Sequence, residues 1–123
     1  MFEIHPAAAD KAAVLAAREG LGGQVSAMIL WEGGEESGYA LYDLQTDTVN
    51  LLVCRSADAD LQEWLVRAVL NAATNRNAVT AVCFDKSQFP ILEKLGFSVE
   101  DGCASVCIPD VFNRPCAGCA GGC

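Results

Sequence analysis

From Thr48 to Asn75 the chain runs from an aliphatic segment (Val49, Leu51, Leu52, Val53) through the polar loop Arg55 to Asp60 into its longest amphipathic stretch. A strand followed at once by a long helix needs a sheet for the helix to cross, because the apolar stripe of the one must be buried on a face of the other. Leu61, Trp64, Leu65, Ala68 and Ala72 recur at three- and four-residue spacing, and Val66, Val69, Leu70 and Ala73 widen the stripe. Asp60 is expected as the N-cap, with Glu63 as its capping-box partner. The strand–helix junction is the first place to seek function, since the free amides at a helix start attract anions.

With 123 residues the chain is expected to build a single core. No apolar run reaches membrane-spanning length and no basic-then-apolar leader opens the sequence, so a cytoplasmic protein is expected. The formal charge of −8 argues against a nucleic-acid or anionic-membrane partner, both of which require a basic surface. Seven cysteines is an odd total, and five of them fall from Cys103 onward. Without an export signal a disulfide framework is not expected. Cys54 and Cys83 sit in apolar runs and read as small core residues.

In order, Phe2 to His5 reads as an edge strand stopped by Pro6, and alanine-rich Ala7 to Glu19 as a helix ended by Gly20, Gly22 and Gly23. Gln24 to Glu32 and Ser37 to Leu44 read as strands turned at Gly33-Gly34. With the strand before the long helix they form an antiparallel meander. Ala78 to Phe84 is apolar almost throughout, which predicts a strand buried on both faces and parallel to the one before the helix, a right-handed crossover. Gln88 to Leu95 reads as a short helix, and Phe97 to Glu100 with Ala104 to Ile108 as a hairpin turned at Asp101-Gly102. Pro109 to Cys123 offers almost nothing to bury and reads as a tail. The fold class is therefore α/β (α+β): a mixed central sheet in the order β-α-β-β-β-α-β-α-β-β with helices on both faces.

The segment Ile91-Leu92-Glu93-Lys94-Leu95-Gly96-Phe97 resembles the "YEKLGF" ending of the Gcn5-related N-acetyltransferase (GNAT) family, and the element order is similar to that family's across residues 1–112. Gly38-Tyr39-Ala40 resembles the family's third strand. The resemblance implies transfer of an acetyl group from acetyl-CoA to an amine on a small molecule or a protein. It places the thioester carbonyl against the backbone of Leu52, Val53 and Cys54. It also places the diphosphate on the loop from Ala57 to Gln62. The family's loop pattern, [Gln/Arg]-x-x-Gly-x-[Gly/Ala], set on Ala57, Asp60 and Gln62, meets none of its preferred residues, and the carboxylates of Asp58 and Asp60 oppose a diphosphate. Where many members carry an acidic tyrosine this chain has Leu92, so Tyr39 or Tyr42 would have to stand in as the acid. Glu32, at the end of its strand, is the nominal base.

Each of these residues also has a plainer role. Asp60 and Glu63 serve as caps in most such settings, Trp64 and Trp31 are expected in the core, and His5, beside Pro6 near the N-terminus, carries no pattern that marks it as a base. The tail sequence Cys116-Ala-Gly-Cys119-Ala-Gly-Gly-Cys123, with Cys107 as a fourth thiol, could hold zinc or an iron–sulfur cluster. An acetyltransferase-like domain over 1–112 with a Gly/Ala/Cys-rich tail over 113–123 is the division expected. A non-catalytic scaffold that uses the tail for a metal or a partner is the alternative.

Overall fold

The computed structural model describes residues 2–112. Its elements are β1 (Phe2–Pro6), α1 (Ala9–Arg18), β2 (Ser26–Glu32), β3 (Glu35–Gln45), β4 (Thr48–Arg55), α2 (Ala59–Thr74) and β5 (Thr80–Cys83). A 3-10 turn (Lys86–Gln88), α3 (Phe89–Lys94), β6 (Ser98–Glu100), β7 (Cys103–Cys107) and α4 (Ile108–Phe112) complete it. The strands form one sheet in the order β1-β2-β3-β4-β5-β7-β6, antiparallel except for the parallel β4–β5 pair. This is the mixed sheet expected from the sequence, and the expected crossover is present.

Alternation along the strands sorts their side chains to two faces. Met28, Leu30, Ala40, Tyr42, Val49 and Leu51 point to the face covered by α2, α3 and α4, where Leu65, Val66, Val69, Leu70, Leu92, Leu95, Ile108 and Val111 close the larger core. Ala27, Ile29, Tyr39, Leu41 and Val53 meet Ala12 and Leu15 of α1 in a smaller one. β4 changes phase within its length: Val49 and Leu51 belong to the larger core, then Val53 to the smaller and Cys54 again to the larger. Leu41 pairs with Val53 but Tyr42 with Leu51, so Leu52 is an extra residue, a β-bulge that shifts the alternation by one.

Two hairpins turn where the sequence favours positive φ, while the third, between β3 and β4, turns through the β-branched Thr46 at φ 53°. Gly33 and Gly34 link β2 to β3 at φ 61° and 89°, and Asp101-Gly102 links β6 to β7 at 52° and 76°, the right-handed two-residue turn that matches strand twist.

Four details differ from the reading of the sequence. The N-cap of α2 is Asp58, whose Oδ1 accepts the Asp60 amide at 2.7 Å, so the helix starts earlier and Asp60 sits in its first turn. Trp64 is 51% exposed, because the buried stripe runs through Leu65, Val66, Val69, Leu70 and Ala73, about 100° around the helix. Its ring instead meets Phe2 edge-on at 6.4 Å. Val79 and Phe84 flank β5 and are exposed, and within Thr80–Cys83 only Ala81 and Cys83 are buried, so one face of this strand is fully covered rather than both. Residues 109–112 are not tail: Ile108 and Val111 of α4 seal one end of the core.

Candidate active site

Pairing between β4 and β5 runs from Thr48↔Thr80 to Leu51↔Cys83 and stops. β4 continues to Arg55, whereas the chain after Cys83 turns away into the cap at Asp85. Val53 and Cys54 thus pair with β3 on one side only, and the bulged Leu52 pairs with no strand on either side. A slot opens there beside the start of α2. On one wall the Cys54 thiol points at the Gln62 carbonyl of α2, 3.9 Å away. Burial, with the neighbouring Cys83 thiol adding to it, pushes Cys54 up to about 12, and burial raises Cys83 to about 11, so both stay protonated and are poor nucleophiles. Asp85, at the foot of the other wall, is desolvated. Hydrogen bonds from Ser87 at 3.1 and 2.7 Å and from Gln88 at 3.1 Å outweigh this and hold it ionised below its usual value.

The start of α2 is already occupied by a carboxylate of its own. Asp58 accepts the Asp60 amide, its carbonyl accepts the Gln62 amide at 3.0 Å, and Ser56 Oγ accepts the Asp58 amide at 3.3 Å. Asp60 adds a second negative charge in the first turn. The start of α2 thus carries carboxylate charge that opposes a diphosphate.

On the opposite face, α1 ends against the last residue of β4. Glu19 receives two hydrogen bonds from Arg55, from Nε at 3.1 Å and from the terminal nitrogen at 2.8 Å, and a third from the Tyr39 hydroxyl. Arg55, then Tyr39, hold the Glu19 carboxyl down at about 2. Tyr39 is raised, by burial first and then by Glu19. The Arg18 guanidinium lies over the Tyr39 ring, 5.8 Å from its centroid. These groups border a cavity of about 430 Å³ lined by Arg18, Glu36, Ser37, Gly38, Tyr39, Arg55, Ser56 and Ala57.

The clasp fixes a sign for stability against pH. Because the folded value of Glu19 lies below its ordinary 4.5, the ion pair stabilises above about pH 4.5 and its contribution is lost as pH falls towards 2. Arg55 is 57% exposed, so screening keeps the contribution to about 1 kcal/mol. Glu19→Gln is expected to lower Tm by about 4 °C at pH 7 and by only a small fraction of that near pH 2. A difference that persists unchanged in acid would show that the clasp is not an ion pair.

The residues expected from the sequence are thus only partly gathered. Leu52, Val53 and Cys54 line the slot, and Gln62 meets Cys54 there. Ala57 borders the cavity on the α1 face, and Asp60 is exposed at the helix start. Tyr39 has its hydroxyl committed to Glu19. Glu32 is exposed and pairs with Phe2 and Glu35, two strands away from β4. Leu92 is fully buried as a core residue. Cys107 closes β7, and Cys116, Cys119 and Cys123 lie outside the described residues. Among the described residues no three His, Cys, Asp or Glu side chains converge on a metal position. Sequence reasoning missed Glu19, Arg18 and Arg55: the clasp joins residues 36 apart, and Glu19 carries no local pattern beyond its place at a helix end.

No family model matches the sequence, and no curated protein does. Solved structures do match the fold. A putative GNAT-family acetyltransferase from Desulfovibrio desulfuricans superposes with a TM-score of 0.68 at 13% identity, over 88% of this chain and 99% of that one. The ribosomal-protein-S18-alanine N-acetyltransferase of Escherichia coli gives 0.68 at 13% identity, over 88% and 94%. A GNAT-family acetyltransferase from Elizabethkingia anophelis with acetyl-CoA bound gives 0.65 at 14% identity, over 86% and 97%. The chain has the fold of the GNAT acetyltransferases, as its "YEKLGF"-like segment suggested.

Proposed function

We propose that this protein is a divergent acetyltransferase that moves an acetyl group from acetyl-CoA to an amine on a small molecule or a protein. The observation that carries this reading is β4 outrunning its parallel partner at Leu51, with a bulge at Leu52, in a fold shared with an acetyl-CoA-bound acetyltransferase. The backbone of Leu52, Val53 and Cys54 would hold the thioester carbonyl and meet the negative charge that grows on its oxygen. Leu92 leaves no tyrosine in that place, and the Cys54 thiol, pushed up to about 12 by burial, is too weak an acid to replace it, so the departing thiolate would take its proton from the attacking nitrogen or from water. Glu19 is too weakly basic, and Glu32 lies two strands away, so the amine would reach the slot already neutral or give its proton to water.

No helix among the described residues is long and apolar enough to cross a membrane. A cytoplasmic setting without a nucleic-acid partner fits the charge of −8. Calorimetric titration with acetyl-CoA is expected to show binding in the high-micromolar to millimolar range, weak because of Asp58 and Asp60. Thiol release on addition of amines would then report transfer. Absence of heat at millimolar acetyl-CoA would reduce the likeness to one of fold alone.

A further inference from the structure

Resting on that reading, we infer that the cavity between the end of α1 and the loop after β4 binds the carboxylate of the acceptor, which makes the acceptor an amino acid or another small zwitterion. The charges around the cavity can be paired off one by one. Arg55 is held by Glu19, with nitrogen and oxygen 2.8 Å apart, and Glu36 is held by Lys11 at 3.0 Å. Arg18 forms no ion pair within 4.0 Å among the described residues; its guanidinium rests on Tyr39, whose side chain it also hydrogen-bonds, and it feels the Glu19 carboxylate that Arg55 already holds. The cavity therefore keeps one unmatched positive charge in a chain whose formal charge is −8.

A guanidinium carries five N–H donors, so with one engaged at Tyr39 Arg18 retains enough to meet a carboxylate with two parallel hydrogen bonds. Ser37 and Ser56 supply neutral polar lining, and the volume of about 430 Å³ suits a small organic molecule. Arg55 ends the strand that forms the slot, two to three residues beyond the Leu52–Val53 backbone, or about 7–10 Å along the strand. A carboxylate anchored on Arg18 thus leaves the amine of the same molecule on the slot side. A zwitterion also meets no net repulsion from the acidic surface, which a simple anion would.

The experiment compares leucine with leucinamide as acceptors in the intact protein and in Arg18→Gln, with acetyl-CoA affinity measured alongside. Leucine is expected to be acetylated with kcat/KM at least tenfold above leucinamide. Arg18→Gln is expected to bring the ratio to about one while leaving acetyl-CoA affinity within twofold. Equal rates for the two acceptors in the unaltered protein would overturn the inference. So would a tenfold loss of acetyl-CoA affinity in Arg18→Gln, which would assign the guanidinium to a phosphate of the cofactor.

A second measurement is independent of turnover. N-acetyl-leucine at millimolar concentration is expected to shift the Arg18 Nε–H and Tyr39 resonances, and N-acetyl-leucinamide is not. If no amine is acetylated, the acetyltransferase reading fails and this titration alone decides the cavity. Identical responses to the two compounds, or none to either, would reject it.

Discussion

Replacing Asp58 and Asp60 together by asparagine is expected to tighten acetyl-CoA binding about tenfold. Asparagine caps a helix as well as aspartate does, so the hydrogen bond from the Asp60 amide is retained and the fold is little affected. What changes is charge. A carboxylate 6 Å from a phosphate charge costs about 0.7 kcal/mol in water and about 3 kcal/mol at an effective dielectric near 20. Both residues are exposed, so the lower figure applies, and two such terms give about 1.4 kcal/mol, one factor of ten. Calorimetry at low and high salt checks this: the gain should shrink as ionic strength rises. An unchanged affinity at low salt would mean that the diphosphate does not approach the start of α2, and the assignment of the slot would need revision.

Gly38→Ala is expected to cost about 2 kcal/mol, roughly 8 °C in Tm, and to weaken acetyl transfer more than stability alone accounts for. A Cβ at Gly38 would lie 2.6 Å from the Arg55 carbonyl oxygen and 3.5 Å from Ser56 Cα. The obstacle is backbone, so it cannot be relieved by turning a side chain. The end of β4 and the loop behind it must lift away from β3, and with them the Arg55 clasp and the outer end of the slot. Thermal denaturation and thiol release measured on the same preparations separate the two effects. If Gly38→Ala matched the parent in both, β4 would have slack that the observed packing excludes.

Much of the fold was legible because short-range chemistry dictates it. Gly33-Gly34 and Asp101-Gly102 could only be tight turns, and the apolar stretch after α2 had to return beside β4. The placement of β7 between β5 and β6 was not legible, since neither turn chemistry nor alternation specifies which strand a hairpin offers to a sheet. The helix face was misjudged by one residue position. Ala68 and Ala72 fit two adjacent stripes equally well, and only the sheet beneath decides that Val69 and Ala73 go inward and Trp64 outward. At the candidate site the slot was legible as a strand running into a helix. The bulge at Leu52 had left a faint trace in the consecutive Leu51-Leu52-Val53, which breaks a two-residue alternation. The clasp of Glu19, Tyr39 and Arg55 left none, because an ion pair between a helix end and a distant strand end has no local spacing.

Among the described residues, the four-residue parallel contact between β4 and β5 is the one strand pairing that joins two antiparallel blocks of the sheet, β1 to β4 on one side and β5 with the β6–β7 hairpin on the other. Parting the two blocks opens four rungs there, against seven at the β3–β4 pairing. On the proposed function, entry of the acyl donor and departure of its spent carrier would depend on this short joint.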